Sequence, residues 1–122
     1  MKTKKTMVFG ASPNPSRYAH LAVRRLENNG IEVVALGRRA GQIGNTTIQT
    51  DYPAQIDELH TISLYLGAKH QPPYYDYLIG LKPKRVLFNP GTENPDFVAR
   101  LEKAGIVAEM ACTLALLSIG AY

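Results

Sequence analysis

An apolar strand that runs directly into a turn of small residues and then a helix constrains the fold of this chain most. Residues 6–10 have the apolar, glycine-ended pattern of a buried parallel strand, and Gly10, Ala11 and Ser12 form the turn. A helical pattern follows, for which Ser16 is the predicted N-cap. Such a junction directs backbone N–H groups at one point in space, and an anion, most often a phosphate, is the usual occupant of that point.

Four further apolar runs alternate with helical patterns along the rest of the chain. The strands are predicted at residues 6–10, 31–36, 60–66, 85–89 and 106–110. Helices are predicted to start near Ser16, Tyr74 and Pro95, and the apolar tail 112–119 is predicted to be a short helical cap on the sheet. Strands that alternate with helices pair in parallel through right-handed crossovers. The sequence therefore predicts a single-domain α/β fold with a Rossmann-like, doubly wound, mostly parallel sheet of about five strands.

The stretch between the second and third predicted strands is less regular. Gly and Asn are frequent from Arg38 to Asn45, which predicts a loop. Ile48 is predicted to belong to a brief strand or a turn, and residues 51–56 to a loop or single turn that leads to the third strand. None of this stretch is counted among the five strands.

Length and composition limit the class of protein. A chain of 122 residues with 45% apolar and 20% charged residues is expected to form one domain with a core that needs no disulfide or metal. Cys112 is the only cysteine, so no intramolecular disulfide is possible. The net charge of +4 favours anionic ligands without requiring nucleic acid. No apolar run approaches the roughly 20 residues of a membrane span, so no membrane association and a cytoplasmic location are expected.

The predicted strand ends carry small or polar turns. In doubly wound sheets ligands bind at the carboxyl ends of the strands, and such turns leave room for a nucleotide there. The four turns are Gly10-Ala11-Ser12, Gly37-Arg38-Arg39, Gly67-Ala68-Lys69 and Asn89-Pro90-Gly91-Thr92.

The first turn keeps only part of the dinucleotide-binding fingerprint G-x-G-x-x-G. Gly10 occupies the first glycine position and permits the tight turn. Ser12 is small enough for a phosphate to approach and adds a hydroxyl donor. Ser16 and Arg17, at the predicted helix start, bring a second hydroxyl and a guanidinium that can meet a diphosphate.

The end of the second strand discriminates between nucleotides. NAD-binding sheets usually carry an Asp or Glu there, about 20 residues beyond the glycines, to bind the ribose hydroxyls. This chain has Gly37-Arg38-Arg39 instead. Two cations in place of a carboxylate exclude NAD and favour a ligand with an extra phosphate on its ribose, which is NADP or coenzyme A (CoA). The alternative is that both arginines are solvated loop residues.

The sequence resembles the small CoA-binding proteins, which are similar to the CoA-binding domain of the succinyl-CoA synthetase α subunit. The resemblance extends over residues 7–117 and rests on residues 8–17, 35–38 and 88–94, with residues 109–114 also similar to the family's ending. The synthetase has a second domain with a catalytic phosphohistidine, which these residues do not match. The resemblance therefore implies ligand binding and carries over no catalytic part.

The resemblance also implies a role for each turn. The diphosphate is expected against Gly10, Ala11, Ser12, Ser16, Arg17 and Tyr18. The 3′-phosphate is expected near Gly37 and Arg38, where the family often has a Pro-Lys pair. Gly67 stands near the family's third-strand turn, which often has an Arg-Pro pair, and it is expected on the adenine side. The pantetheine arm is expected beside Asn89, Pro90, Gly91 and Thr92.

Few other residues suggest chemistry. The three histidines, His20, His60 and His70, lack metal-ligand spacing with one another or with Cys112, so no metal site is expected. Cys112 is expected to be a small buried hydrophobe, because no base is recognisable beside it. Glu93 is expected either to lie in the first turn of a helix or to face the crevice. The tyrosines Tyr74, Tyr75 and Tyr77 are expected either in the core or as a shield for a ligand or subunit contact.

Three hypotheses remain open at this point. The first is a non-catalytic protein that binds CoA or an acyl-CoA. The second is an NADP-binding oxidoreductase subunit, although 122 residues leave no room for a substrate domain. The third is a regulatory or interaction protein with a degenerate nucleotide site. Nucleic-acid binding is not expected, since no basic stripe with interleaved aromatic residues is present. A homo-oligomer or a protein partner stays open.

Overall fold

Buried apolar runs form the centre of a parallel sheet. The computed structural model describes residues 4–122, and over this range the chain forms seven strands and four α-helices. The strands are β1 (Thr6–Phe9), β2 (Val33–Leu36), β3 (Gly41–Ile43), β4 (Thr46–Gln49), β5 (Thr61–Leu64), β6 (Arg85–Phe88) and β7 (Val107–Met110). The helices are α1 (Tyr18–Asn28), α2 (Tyr75–Gly80), α3 (Pro95–Lys103) and α4 (Thr113–Ser118), with 3₁₀ turns at Ala68–His70 and Pro72–Tyr74.

The strands lie side by side in the order β3-β4-β2-β1-β5-β6-β7. Every neighbouring pair is parallel except β3 and β4, which are antiparallel. The chain therefore has the mostly parallel, Rossmann-like α/β fold that the alternation of strands and helices predicts. The direction in which strands are added to the sheet reverses at β1. The chain passes from β1 to β2 on one side, and β5 later pairs with β1 on the other side. Ligands of doubly wound folds bind at such a reversal.

The predicted number of five strands is wrong, because the second crossover contains a β-hairpin. The hairpin pairs Ile43 with Thr46 around a two-residue turn, and Gly44 in that turn has a positive φ of 56°. Glu27 of α1 fixes the hairpin by accepting hydrogen bonds from the Asn45 backbone N–H at 2.9 Å and the Thr46 hydroxyl at 2.6 Å. A Gly-Asn pair between short alternating runs is a hairpin signal, which the interpretation of this stretch as a loop overlooked.

Each central strand divides its side chains between two cores. On one face Phe9, Leu64 and Phe88 pack with the helices α2 and α3. On the other face Val8 and Ala35 pack against α1. Side chains of a strand alternate between faces, and both faces here are covered by helices, so the central strands are buried throughout. The rigid platform that results fixes the turns at the strand ends.

The apolar tail forms the short helix α4 within the range predicted to be a helical cap, and α4 covers the same face of the sheet as α1. Leu117 of α4 packs against the apolar cluster of this face, and the Thr113 hydroxyl lies 2.7 Å from the Ser63 hydroxyl of β5. The buried cation of this face, Arg85, donates to the Thr61 hydroxyl at 2.8 Å and to the Tyr122 carbonyl oxygen at 2.9 Å. Buried polar groups need such partners, and here β5, α4 and the residues after α4 supply them.

One histidine, at the end of the sheet where the central parallel strands begin, is expected to make the stability of the fold depend on pH. His60 precedes β5, and its Nδ1 lies 2.7 Å from the Thr61 hydroxyl. Burial lowers the pKa of His60, and the positive charges of Arg85, Lys4 and Lys84 lower it further. The unfolded chain then binds more protons than the folded chain below the ordinary histidine pKa of about 6.5.

We therefore predict that the free energy of unfolding falls as the pH is lowered from 7 toward 5. Urea denaturation at several pH values measures this dependence. His60→Gln should reduce the slope, and His70→Gln, at an exposed histidine, is the control for removal of an imidazole. An unchanged slope in His60→Gln would contradict the prediction.

Candidate ligand-binding cleft

A cleft of about 450 Å³ lies across the carboxyl ends of β2, β1, β5 and β6. This size is within the usual range of small-molecule sites. Most of the predicted site residues line it, and they come from four separate turns that the fold brings together. Those residues are Gly10, Ala11, Ser12, Arg17, Tyr18, Gly37, Arg38, Gly67, Pro90, Gly91 and Thr92.

The turn after β1 is held against the end of β2. The backbone N–H groups of Gly10 and Ala11 both donate to the Leu36 carbonyl oxygen, at 3.0 and 2.9 Å. These two N–H groups are therefore not available to a ligand. Gly10 and Ala11 contribute space for an anion, whereas the donors must come from elsewhere in the cleft.

The start of α1 supplies those donors. The first N–H groups of a helix have no partner within it, and no side chain caps α1 at its N-cap residue, Arg17. The Ser12 hydroxyl accepts from the Asn14 backbone N–H at 3.1 Å, which leaves its own proton free to donate. The start of α1, the Ser12 hydroxyl and the Arg17 guanidinium therefore lie on one side of the cleft, where the helix dipole favours an anion.

Ser16 is not the N-cap of α1 that the sequence predicts. It is exposed and lies outside the cleft lining, and Arg17 rather than Ser16 is the N-cap. Its backbone N–H and hydroxyl both donate to the Asn14 Oδ1 atom, at 3.0 and 2.9 Å. These bonds form a local Asx turn that shapes the entry to α1, so the Ser16 hydroxyl is already engaged.

Close backbone approach explains the glycine at the end of β2. A Cβ atom on Gly37 would lie 2.2 Å from the Ala11 carbonyl oxygen and 3.1 Å from the Ile48 side chain. Only a residue without a side chain allows the β1 and β2 turns to lie this close. Arg38 and Arg39 follow immediately, so the tight approach also sets the position of both cations at the cleft.

Asn89 is buried beneath the cleft and does not line it. Its side-chain amide donates to the Ser63 hydroxyl and to the Leu64 carbonyl, each at 3.0 Å, and its Oδ1 accepts from the Thr113 N–H at 2.8 Å. Every polar atom of the side chain is therefore used internally. The residues after it do line the cleft, and the hydroxyl of one of them, Thr92, donates back to the Asn89 carbonyl at 2.7 Å.

An aromatic wall lines the cleft near the arginines, and sequence reasoning missed part of it. Phe9 contacts Tyr52 and Tyr74 edge to face, with ring centroids 5.6 and 5.1 Å apart. Burial raises the pKa of Tyr52, and the nearby Arg38 guanidinium opposes this effect. Tyr74 lines the cleft, in agreement with the ligand-shield alternative, whereas Tyr75 is in the core. The local sequence does not predict Tyr52 as a cleft residue. It lies in a loop after β4, and the fold brings it to the cleft.

Tyr65 is a second aromatic residue of the lining that the sequence interpretation missed. Its ring packs against the α1 side of the sheet. Burial raises its pKa to about 12, and the nearby Thr113 and Ser63 hydroxyls oppose this only in part. Those two hydroxyls bond to each other, and the Tyr65 hydroxyl has no partner among residues 4–122. The phenol therefore stays protonated.

The cations of the cleft are free of carboxylate partners. Three ion pairs form among residues 4–122, and they involve Lys5, Arg85 and Arg100. Arg38 and Arg39 are exposed at the cleft and belong to none of them. Exposed and unpaired guanidinium groups beside a helix start are available to an anionic ligand.

Other chemistry-bearing side chains lie apart from the cleft or serve its shape. The His20 Nδ1 is 3.1 Å from the Ser12 carbonyl oxygen, which joins α1 to the first turn. Cys112 is half-buried and outside the lining. Glu93 accepts from the Gly91 N–H at 2.9 Å. Within the described range, no three His, Cys, Asp or Glu side chains lie close enough to bind a metal ion.

Comparison with known proteins identifies the family. A model of a family described as a CoA binding domain matches residues 4–118. The chain therefore belongs to this family of CoA-binding domains, as the sequence resemblance implies. None of the curated proteins compared matches the chain. None of the helices that the structure describes is long and apolar enough to cross a bilayer.

Solved structures share the whole fold. A crystal structure of an uncharacterised protein is 41% identical, with a TM-score of 0.95 and all of both chains covered. A protein from Thermus thermophilus is 21% identical with a TM-score of 0.81, and the match covers 98% of this chain and 91% of that one. A hypothetical protein from Pyrococcus horikoshii OT3 is 23% identical with a TM-score of 0.80, over 93% and 81% of the two chains. The last two matches establish only the fold.

The contact between Gly37 and Ala11 yields a prediction. Gly37→Ala should lower the free energy of unfolding by about 1–3 kcal/mol, because the new methyl group overlaps a backbone carbonyl that cannot move without disturbing both strand ends. Urea denaturation measures the loss. Gly80→Ala is the matched control, since a Cβ there meets nothing within 4 Å and the residue is helical. Equal effects of the two substitutions would contradict this account of Gly37.

Proposed function

We propose that this protein binds CoA or an acyl-CoA without catalysing its conversion. The observation that carries the proposal is the order of the strand ends, β2-β1-β5-β6. Along that order the cleft presents exposed cations, then helix-start donors, then neutral turns. The parts of CoA follow the same order, from the 3′-phosphate through the diphosphate to the pantetheine arm. Four neighbouring strand ends span roughly 14 Å, which an extended ligand can bridge.

The diphosphate belongs at the start of α1 in this proposal. Ser12, Arg17 and the first N–H groups of the helix can all donate to its oxygens. Gly10 and Ala11 have no free N–H but leave room for the phosphates to approach. Charge-assisted bonds of this kind are stronger than neutral ones, so this side of the cleft should supply much of the affinity.

The adenosine 3′-phosphate belongs at the end of β2. Arg38 and Arg39 supply positive charge there, and Tyr52 and Tyr74 supply an aromatic surface beside it. Aromatic side chains stack on nucleobases, while guanidinium groups bind phosphates. The side chains at this end of the cleft therefore suit a phosphorylated adenosine.

The pantetheine arm belongs over the turns after β5 and β6. This moves Gly67 from the adenine side that the resemblance implied to the pantetheine side, because β1 lies between β5 and the arginines after β2. The lining there consists of Tyr65, Leu66, Gly67, Pro90, Gly91 and Thr92, and its one ionisable group, the Tyr65 phenol, is buried with its pKa raised to about 12. The Thr92 hydroxyl is engaged with the Asn89 carbonyl. A neutral wall suits an uncharged amide chain and offers no side chain suited to general acid–base or nucleophilic chemistry. The absence of a catalytic role in the proposal rests on this wall.

NADP is the alternative that the same arginines allow, since a guanidinium also binds a 2′-phosphate. The match to the CoA-binding domain family favours CoA. A panel of CoA, acetyl-CoA, NADP and ADP in isothermal titration calorimetry distinguishes the hypotheses. CoA or acetyl-CoA should bind most tightly. A preference for NADP would favour an oxidoreductase subunit, and no binding of any ligand at millimolar concentration would favour a degenerate site.

Arg38 gives the sharpest test by mutation. Arg38→Glu should raise the CoA dissociation constant about tenfold or more, because a cation beside the 3′-phosphate becomes an anion. The same substitution should affect dephospho-CoA, which lacks the 3′-phosphate, much less. Calorimetry with both ligands measures the difference. Arg24→Glu, on the exposed face of α1, is the control with an equal change of charge.

Equal losses for CoA and dephospho-CoA in Arg38→Glu would contradict a 3′-phosphate contact at this residue. Equal losses of CoA affinity in Arg38→Glu and Arg24→Glu would mean that the net charge of the protein, and not a contact at Arg38, causes the effect.

A further inference from the structure

A buried glutamine joins the two turns that form the neutral end of the cleft. Gln71 lies between the 3₁₀ turns of residues 68–70 and 72–74 and is completely buried. Its Nε2 donates to the Leu66 carbonyl oxygen and to the Thr92 carbonyl oxygen, both at 2.8 Å. Leu66 follows β5 and Thr92 follows β6, so one amide group spans the gap between the two strand ends.

The orientation of this amide is fixed from the other side. The Asn94 Nδ2 donates to the Gln71 Oε1 at 2.9 Å and to the Tyr75 hydroxyl at 2.8 Å. Asn94 is itself held as the N-cap of α3, because its Oδ1 accepts from the Phe97 N–H at 3.2 Å. A flipped Gln71 amide would bring its NH₂ group against the Asn94 NH₂ group and its oxygen against two carbonyls. Only one orientation satisfies the network.

Gln71 connects the segments after β5 and β6 where the hydrogen bonds of the sheet end. The parallel ladder between β5 and β6 ends at the pair Leu64 and Phe88. Beyond that pair the two segments leave the sheet, and the Gln71 amide donates a hydrogen bond to each of them. Fully bonded networks of this kind are rigid, whereas a buried carbonyl that loses its donor is costly.

We propose that Gln71 is a positioning residue that sets the width of the cleft between the turns after β5 and β6, and thereby the affinity for the pantetheine arm. The proposal rests on the proposed function, since it assumes that a CoA-type ligand occupies the cleft. Gln71 itself does not line the cleft and acts through Leu66 and Thr92.

The experiment compares CoA with adenosine 3′,5′-bisphosphate, which has the phosphorylated adenosine but no pantetheine arm. Gln71→Met keeps the size of the side chain and removes both donors. It should raise the dissociation constant of CoA about tenfold and leave that of the bisphosphate within about twofold. Isothermal titration calorimetry of both ligands measures the two changes. Leu101→Ala, on the buried face of α3, is the control for general loss of stability and should not change the ratio of the two constants.

A second variant keeps the test decisive if Gln71→Met does not fold. Gln71→Glu is isosteric, but a carboxylate facing two carbonyl oxygens can donate only when protonated. Its loss of CoA affinity relative to wild type at the same pH should therefore shrink as the pH is lowered from 8 to 5. This recovery should be confined to CoA, because a carboxylate that destabilises the whole fold would weaken CoA and the bisphosphate alike and both would recover together.

The outcomes separate this inference from the proposed function. If the wild-type protein binds neither CoA nor the bisphosphate, the proposed function fails. If it binds both equally well, or if Gln71→Met weakens both by the same factor or neither, the positioning role of Gln71 is overturned while CoA binding stands.

Discussion

The cleft depends most on one backbone carbonyl oxygen that accepts hydrogen bonds from two N–H groups. The Leu36 oxygen at the end of β2 binds the N–H groups of Gly10 and Ala11, and this brings the first turn onto Gly37 with no room for a side chain. Because the two strand ends are locked together, the start of α1 and the arginines after β2 face the same space. The same bond removes the turn's own donors from the ligand, so recognition of an anion passes to α1, Ser12 and Arg17.

The sequence predicted the parts of the fold that local patterns determine. Buried runs such as residues 60–66 and 85–89 mark parallel strands because both faces must be apolar, and their turns mark the cleft because strand ends of one direction meet at one edge. The hairpin after β2 was missed although Gly44-Asn45 signals it. Tyr52 could not have been predicted as a cleft residue, since only the packing of a loop against Phe9 brings it there.

Two of the predicted site residues lie outside the cleft lining. Ser16 and Asn89 are polar residues in the right turns, but their hydrogen-bonding groups are used within the protein, by Asn14 in one case and by Ser63, Leu64 and Thr113 in the other. A sequence shows which polar groups a turn contains. Whether a group is already bonded depends on the folded geometry. For Ser16 the partner is local, at Asn14, whereas for Asn89 the partners come from distant segments, as is usual for a buried polar group.

The arginines show the same distinction between structural and available groups. Arg85 is buried, bonds to Thr61 and the Tyr122 carbonyl, and lies 4.0 Å from a Glu109 oxygen. A buried charge requires such partners, because an unpaired one would cost several kcal/mol. Arg38 and Arg39 are exposed and have no carboxylate within ion-pair distance among the described residues. Since solvent already satisfies them, the fold does not need their charge, and their position at the cleft leaves both guanidinium groups available to an anionic ligand.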